Sequence, residues 1–231
     1  MIVVLGRPAL GRTAVGTGPL PAGRAGAIAV AAAVAGARVE LVGSVGDDAD
    51  GDQIAVALGR AGVGHAALLR DPSAVTPSAR QLDAARARSG ASAEMMRQPR
   101  LDAADVELGL RYLSECRVLV IADVLADDAA AAAAEAAAYH GAALIAVLPP
   151  GVAVPPAIMD VATVLEDDGA EGDEDAEAAA FAGMVAAYAV ALDAGRDPRE
   201  AFGLAVRAAG WEPTAGWEPT AGWEPPRGDR A

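Results

Sequence analysis

Short apolar runs recur along this chain, separated by stretches with helical spacing, and that alternation limits the folds open to it. The runs are "IVVL" from Ile2, "RVELVGSVG" from Arg38, "GVGHAALL" from Gly62, "RVLVIADVL" from Arg117, "AALIAVL" from Ala142 and a short "VATVL" from Val161. "RVLVIADVL" reads as a fully apolar strand, and such runs suit a central parallel strand buried on both faces. Strand, helix, strand, helix, strand is the pattern of a sheet covered by helices.

The intervening segments support that reading. Arg7 to Gly23, rich in Gly, Pro and Thr, reads as a loop. Arg24 to Ala35 offers a helix of small residues, stopped by Gly36. Asp50 is expected to cap a helix from Gln53 to Ala61, and Asp102 one running to Ser114. Asp127 is expected to cap an alanine-rich helix ending at His140. Ser78 to Ala87 is a further candidate helix. A long helix is expected from about Ala176 to Ala194, and Asp197 with Pro198 opens the last one.

The chain has 231 residues, enough for one α/β domain with a small appendage. Aromatic residues make up only 3%, so Val, Leu, Ile and Ala must build the core. All 18 basic residues are Arg, so no Lys can act as a phosphate-binding point charge, a Schiff-base amine or a general base. A formal net charge of −14 argues against nucleic acid or an anionic membrane as partner. Cys116 is the sole cysteine, which excludes a disulfide framework and suits a core thiol. "MIVVLG" is too short for a signal peptide, and the apolar stretches are too short or interrupted to span a bilayer. A cytoplasmic protein is expected.

Several motifs, taken in order, resemble the ribokinase/PfkB carbohydrate kinase family. The strongest match is "AGRAGAIAVAAAVAGARVELVGSVGDDADGD", which is similar to the family's glycine-rich turn, alanine helix, strand and "VGDDxxG". "RLDAADVELGLRYLSECRVLVIADVL" and "AFAGMVAAYAVALDAGRDPREAFGLAVRAA" extend the likeness over most of Met1 to Ala209. The resemblance implies a three-layer α/β/α, Rossmann-like (ribokinase-like), mostly parallel sheet. The family's lid strands are expected to be absent, because Gly6 to Ala22 is too short for them. It also implies an ATP-dependent sugar kinase, in which Mg-ATP meets an Asp base in a "GAGD" turn at a helix N-terminus.

Here that site departs from the pattern. The family's "GGKGAN" falls on Ala22 to Ala27, giving Gly23, Arg24 and Gly26 as substrate-binding candidates and Ala27 in place of a sugar-binding Asn. A sugar-contacting Asp would fall near Gly11, which has no side chain. The catalytic Asp falls on Ala179. "GAEGD" resembles "GAGD" with one inserted residue, which makes Asp173 the candidate base and Gly169 and Gly172 the candidate cofactor contacts. In "VLEDDGAE", Asp168 and Glu171 match an "N-x-x-E" element and are the candidate metal ligands. No Arg or Lys lies between Arg117 and Arg196, so ATP phosphates would meet a field of like charge.

The strands that build the family's adenine pocket are expected to be missing. Residues 210–231 carry the six-residue repeat "GWEPTA", which holds every Trp and reads as a disordered low-complexity tail beyond a 1–209 domain. On these grounds the favoured function is a non-catalytic relative, binding a small molecule or serving a structural or regulatory role. The alternative is an active ATP-dependent kinase of a sugar or nucleoside-like alcohol. Homo-oligomerisation is a further possibility, because a lost lid leaves an open edge.

Overall fold

The computed structural model describes residues 1–12, 19–78, 98–167 and 174–209. Parallel strands form a six-stranded sheet in the order β5 (Gly64–Asp71), β4 (Val39–Gly46), β1 (Ile2–Leu5), β6 (Val118–Ile121), β7 (Ala143–Leu148) and β8 (Ala162–Glu166). The helices are α1 (Gly23–Val34), α2 (Ala49–Arg60), α3 (Ala103–Leu110), α4 (Asp127–His140), α5 (Pro156–Met159), α6 (Glu174–Asp193) and α7 (Pro198–Ala209).

The central strands are apolar without alternation because both faces are covered. Ile2, Val4, Val118, Val120, Ile145 and Val147 pack into one core, together with residues of α1, α2, α6 and α7. Their neighbours Val3, Leu5, Leu119, Ile121, Leu144 and Ala146 pack into a second core with α3, α4 and α5. The period-2 pleat divides each strand between two helical layers, which gives the three-layer α/β/α architecture expected.

Strands and helices fall close to their predicted places, and the differences have local causes. Asp102 caps α3 through the Asp105 amide, and Asp105 returns the bond to the Asp102 amide. Asp197 accepts from the Arg199 amide ahead of α7. The cap of α2, however, is Asp48 and not Asp50, because the helix starts earlier, at Ala49. Asp127 does not cap α4 either: it is the first helical residue, following Ala126, and its charge lies in the first turn.

The segment predicted to be a loop without lid strands holds a small antiparallel sheet, β2 (Ala9–Arg12) with β3 (Pro19–Ala22). Its residues have poor strand propensity, and packing against α1 and α2 overrides it. Leu10 faces Pro21 across the pair, but its amide donates away from β3, to the Pro77 carbonyl (2.8 Å). Pro21 therefore turns its nitrogen to the outer edge, which bars a further strand there. The candidate helix at 78–87 and the 210–231 tail lie outside the described residues, apart from Ser78. Among the described residues, no helix is long and apolar enough to cross a membrane.

Candidate functional site

The chain lays down β1, β4 and β5 toward one edge of the sheet, then returns to build β6, β7 and β8 toward the other. The order thus reverses between β1 and β6, and open α/β sheets bind ligands at such a point, beyond the carboxyl ends of the strands. Arg7 follows β1 and Asp123 follows β6 at this position.

These two side chains meet in a two-pronged ion pair. Arg7 Nε donates to Asp123 Oδ2 (2.5 Å) and a terminal nitrogen donates to Oδ1 (2.7 Å). The Arg7 amide also donates to Oδ2 (3.1 Å), and a guanidinium nitrogen reaches the Pro99 carbonyl (3.4 Å). The side chains are 28% and 14% exposed, so the pair is shielded but not dry. Hydrogen bonding to Asp123 raises the guanidinium pKa, burial opposes it, and the carboxylate charge adds to the rise. One polar bridge thereby ties three segments together across the crevice.

Arg24 lies in the first turn of α1, and its Nε donates to Asp167 Oδ2 (3.0 Å), just beyond β8. This pair is also largely shielded, at 14% and 18% exposed. A bound phosphate or carboxylate would have to compete with Asp167 for this arginine.

The two candidate glycines beside Arg24 have backbone roles. Gly23 has φ +68° and turns the chain directly from β3 into α1. Gly26 lets β3 lie on the helix: a Cβ there would come within 2.9 Å of the Pro21 carbonyl carbon. Ala27, at the position of the family's Asn, packs on the apolar core, and Gly11 is pressed against Ala22. Ala179 is exposed in the second turn of α6. Asp168, Gly169, Glu171, Gly172 and Asp173 lie outside the described residues; α6 begins at the next residue, Glu174.

α1 begins without a side-chain cap and without an acidic residue in its first turn, leaving amides and a positive dipole end at this edge of the sheet. Among the described residues, no three His, Cys, Asp or Glu side chains are grouped to hold a metal ion. Arg7 and Arg24 do not fit the phosphates of Mg-ATP as they stand, because each is committed to a carboxylate of the chain itself.

Sequence reasoning missed Arg7, Asp123 and Asp167. Each directly follows or lies two residues beyond a strand, where an apolar run gives way to a charge: "IVVLGR", "VLVIAD" and "ATVLED". That transition marks a carboxyl end of the sheet, but the strand order that makes neighbours of Arg7 and Asp123 is not written locally.

The geometry defines a doubly wound α/β protein with a small β hairpin over the start of α1. The chain belongs to the pfkB family of carbohydrate kinases: the family described as "pfkB family carbohydrate kinase" matches residues 16–165. Solved structures share the fold at low identity. Ribokinase from Arabidopsis thaliana, complexed with ribose and ATP, has a TM-score of 0.57 at 15% identity, over 90% of each chain. The tetrameric inhibited form of phosphofructokinase-2 from Escherichia coli has a TM-score of 0.60 at 14% identity, over 90% of this chain and 92% of its own. A PfkB protein from Polaromonas sp. JS666 has 0.59 at 13% identity, over 90% and 94%. No curated protein sequence matches the chain.

Proposed function

We propose that this chain is a non-catalytic member of the pfkB family, a small-molecule binder or a structural or regulatory protein built on the kinase scaffold. The observation that carries this reading is the Arg7–Asp123 pair, which bridges the crevice at the reversal of strand order. A ligand entering between β1 and β6 must break that pair or leave it in place, and breaking it strands a shielded charge. The residue replacements agree: Gly11, Ala27 and Ala179 stand where the family pattern has an Asp, an Asn and the catalytic Asp. Without those side chains, sugar hydroxyls lose partners worth about 1–3 kcal/mol each.

A second reading, an active ATP-dependent sugar kinase, is favoured by the open N-terminus of α1 and by chain order, since Asp173 immediately precedes α6. In it, Asp173 is the base that takes the proton of the acceptor hydroxyl. Gly169 and Gly172 supply turn amides, Asp168 and Glu171 hold hydrated Mg²⁺, and Gly23, Arg24 and Gly26 meet the sugar. ATP would supply the transferred phosphoryl group. A cytoplasmic location and a homo-oligomer belong to both readings. The latter is supported by β8, which ends the sheet with Val161 exposed beside it.

Calorimetric titration with Mg-ATP, alone and with a panel of sugars, separates the two. The non-catalytic reading expects no saturable Mg-ATP binding below millimolar. Submillimolar binding that disappears in Asp173→Ala would overturn it.

A further inference from the structure

The acidic turn "VGDDADG", Val45 to Gly51, reads as a strand end and a helix start, but Asp48 reaches well beyond its own helix. Its Oδ1 accepts from the Gly51 amide (2.8 Å), as an N-cap should, and also from the Thr76 hydroxyl (2.7 Å). Its Oδ2 accepts from the Thr76 amide (2.8 Å). The Thr76 hydroxyl oxygen in turn accepts from the Gly46 amide (2.9 Å), and Thr76 is fully buried.

A helix cap needs only one of these bonds. The others fix Thr76 between the end of β4 and the start of α2. The next carbonyl, that of Pro77, accepts from the Leu10 amide (2.8 Å), and Leu10 forms a parallel bridge with Ser78. The strand β2 is therefore laid along residues 77–78 on one side and along β3 on the other. From Asp48 to β2 the connection runs through Thr76, Pro77 and Leu10.

We propose that the acidic turn anchors the β2–β3 hairpin: acting through Thr76, Asp48 fixes the segment on which β2 is laid. The hairpin is then a strap fastened to the scaffold, not a lid that swings over the carboxyl edge of the sheet. Neighbouring charges do not replace this anchor. Arg70 engages Asp52 and the Gly46 carbonyl, and Asp71 is held by the amide and hydroxyl of Ser73.

Hydrogen exchange on the full-length protein tests this, because a cap alone and an anchor protect different amides. Thr76→Val keeps the shape of the side chain and removes the hydroxyl. Asp48→Ser retains an oxygen for the Gly51 amide but cannot hold the amide and the hydroxyl of Thr76 together. Both variants are expected to exchange about tenfold faster at Leu10 and at the other hairpin amides, those of Ala9, Gly11, Leu20 and Ala22. The amides of β1 and β6 should stay protected, and α2 should stay protected in Asp48→Ser. Thr76→Ser, which keeps the hydroxyl, should exchange like the parent. Unchanged hairpin protection in both variants, or acceleration spread evenly over the whole chain, would overturn the proposal.

Discussion

Arg7 and Asp123, 116 residues apart in sequence, meet through both prongs of the guanidinium at the reversal point of the sheet. Truncating Arg7 to Ala leaves Asp123 shielded and without that partner. Because Arg7 is itself 28% exposed, the cost should be below that of a fully buried pair, about 2 kcal/mol. Arg38→Ala removes an ion pair with Glu115 in which both side chains are 67% exposed, and should cost no more than about 0.5 kcal/mol. Urea midpoints of the two variants at pH 7 give the comparison.

Asp48 makes stability depend on pH in a definite direction. Burial raises its pKa, but hydrogen bonds from the Thr76 amide and hydroxyl and from the Gly51 and Asp50 amides outweigh burial and hold it below the usual carboxylate value. A carboxyl with a depressed folded-state pKa contributes stability above its unfolded pKa and loses it as pH falls through the folded one. Stability curves from pH 7 into the acid range should therefore fall less steeply for Asp48→Asn than for the parent, from about pH 4 downward. Parallel curves would show that the Asp48 carboxylate does not set the acid limb of stability.

Gly26 separates packing from ligand contact. Alanine is the better helix former by about 1 kcal/mol, yet the new methyl would sit 2.9 Å from the Pro21 carbonyl carbon. Backbone cannot yield as a flexible side chain does, and overpacking costs about 1–3 kcal/mol. Gly26→Ala should thus lose stability, by about 1 kcal/mol net, in the absence of any ligand. A stabilised variant in thermal unfolding would show that the hairpin yields freely.

Cys116 is 4% exposed, and burial pushes its thiol pKa up to about 11, with the nearby N-terminal charge acting the other way. Thiolate is scarce at neutral pH, and the sulfur lies inside the core beneath α3 and α4. Alkylation should be slow in native buffer and rapid in denaturant; fast native labelling would contradict this placement.

How much of this was legible in the sequence depended on how local each signal was. β1 and β6 read correctly because their apolar runs need no partner to be recognised. Asp102 was legible as a cap because its helix starts at the next residue. The choice between Asp48 and Asp50 is not legible, because acids crowd the start of α2; the start at Ala49 makes Asp48 the cap, and its contact with Thr76 lies 28 residues away. The hairpin reads as a loop because Gly11, Pro19 and Pro21 are poor strand formers, and its support comes from Pro77 and from α1 and α2. The ion pairs at the carboxyl edge depend on strand order, which no window of residues contains.

The claim that the scaffold has outlasted the kinase chemistry is tested most directly by phosphoryl transfer itself. Purified full-length protein would be assayed with Mg-ATP across a panel of sugars and nucleoside-like alcohols, beside Asp173→Ala. No acceptor-dependent ADP release is expected from either protein. Acceptor-dependent turnover by the parent that is lost in Asp173→Ala would contradict it.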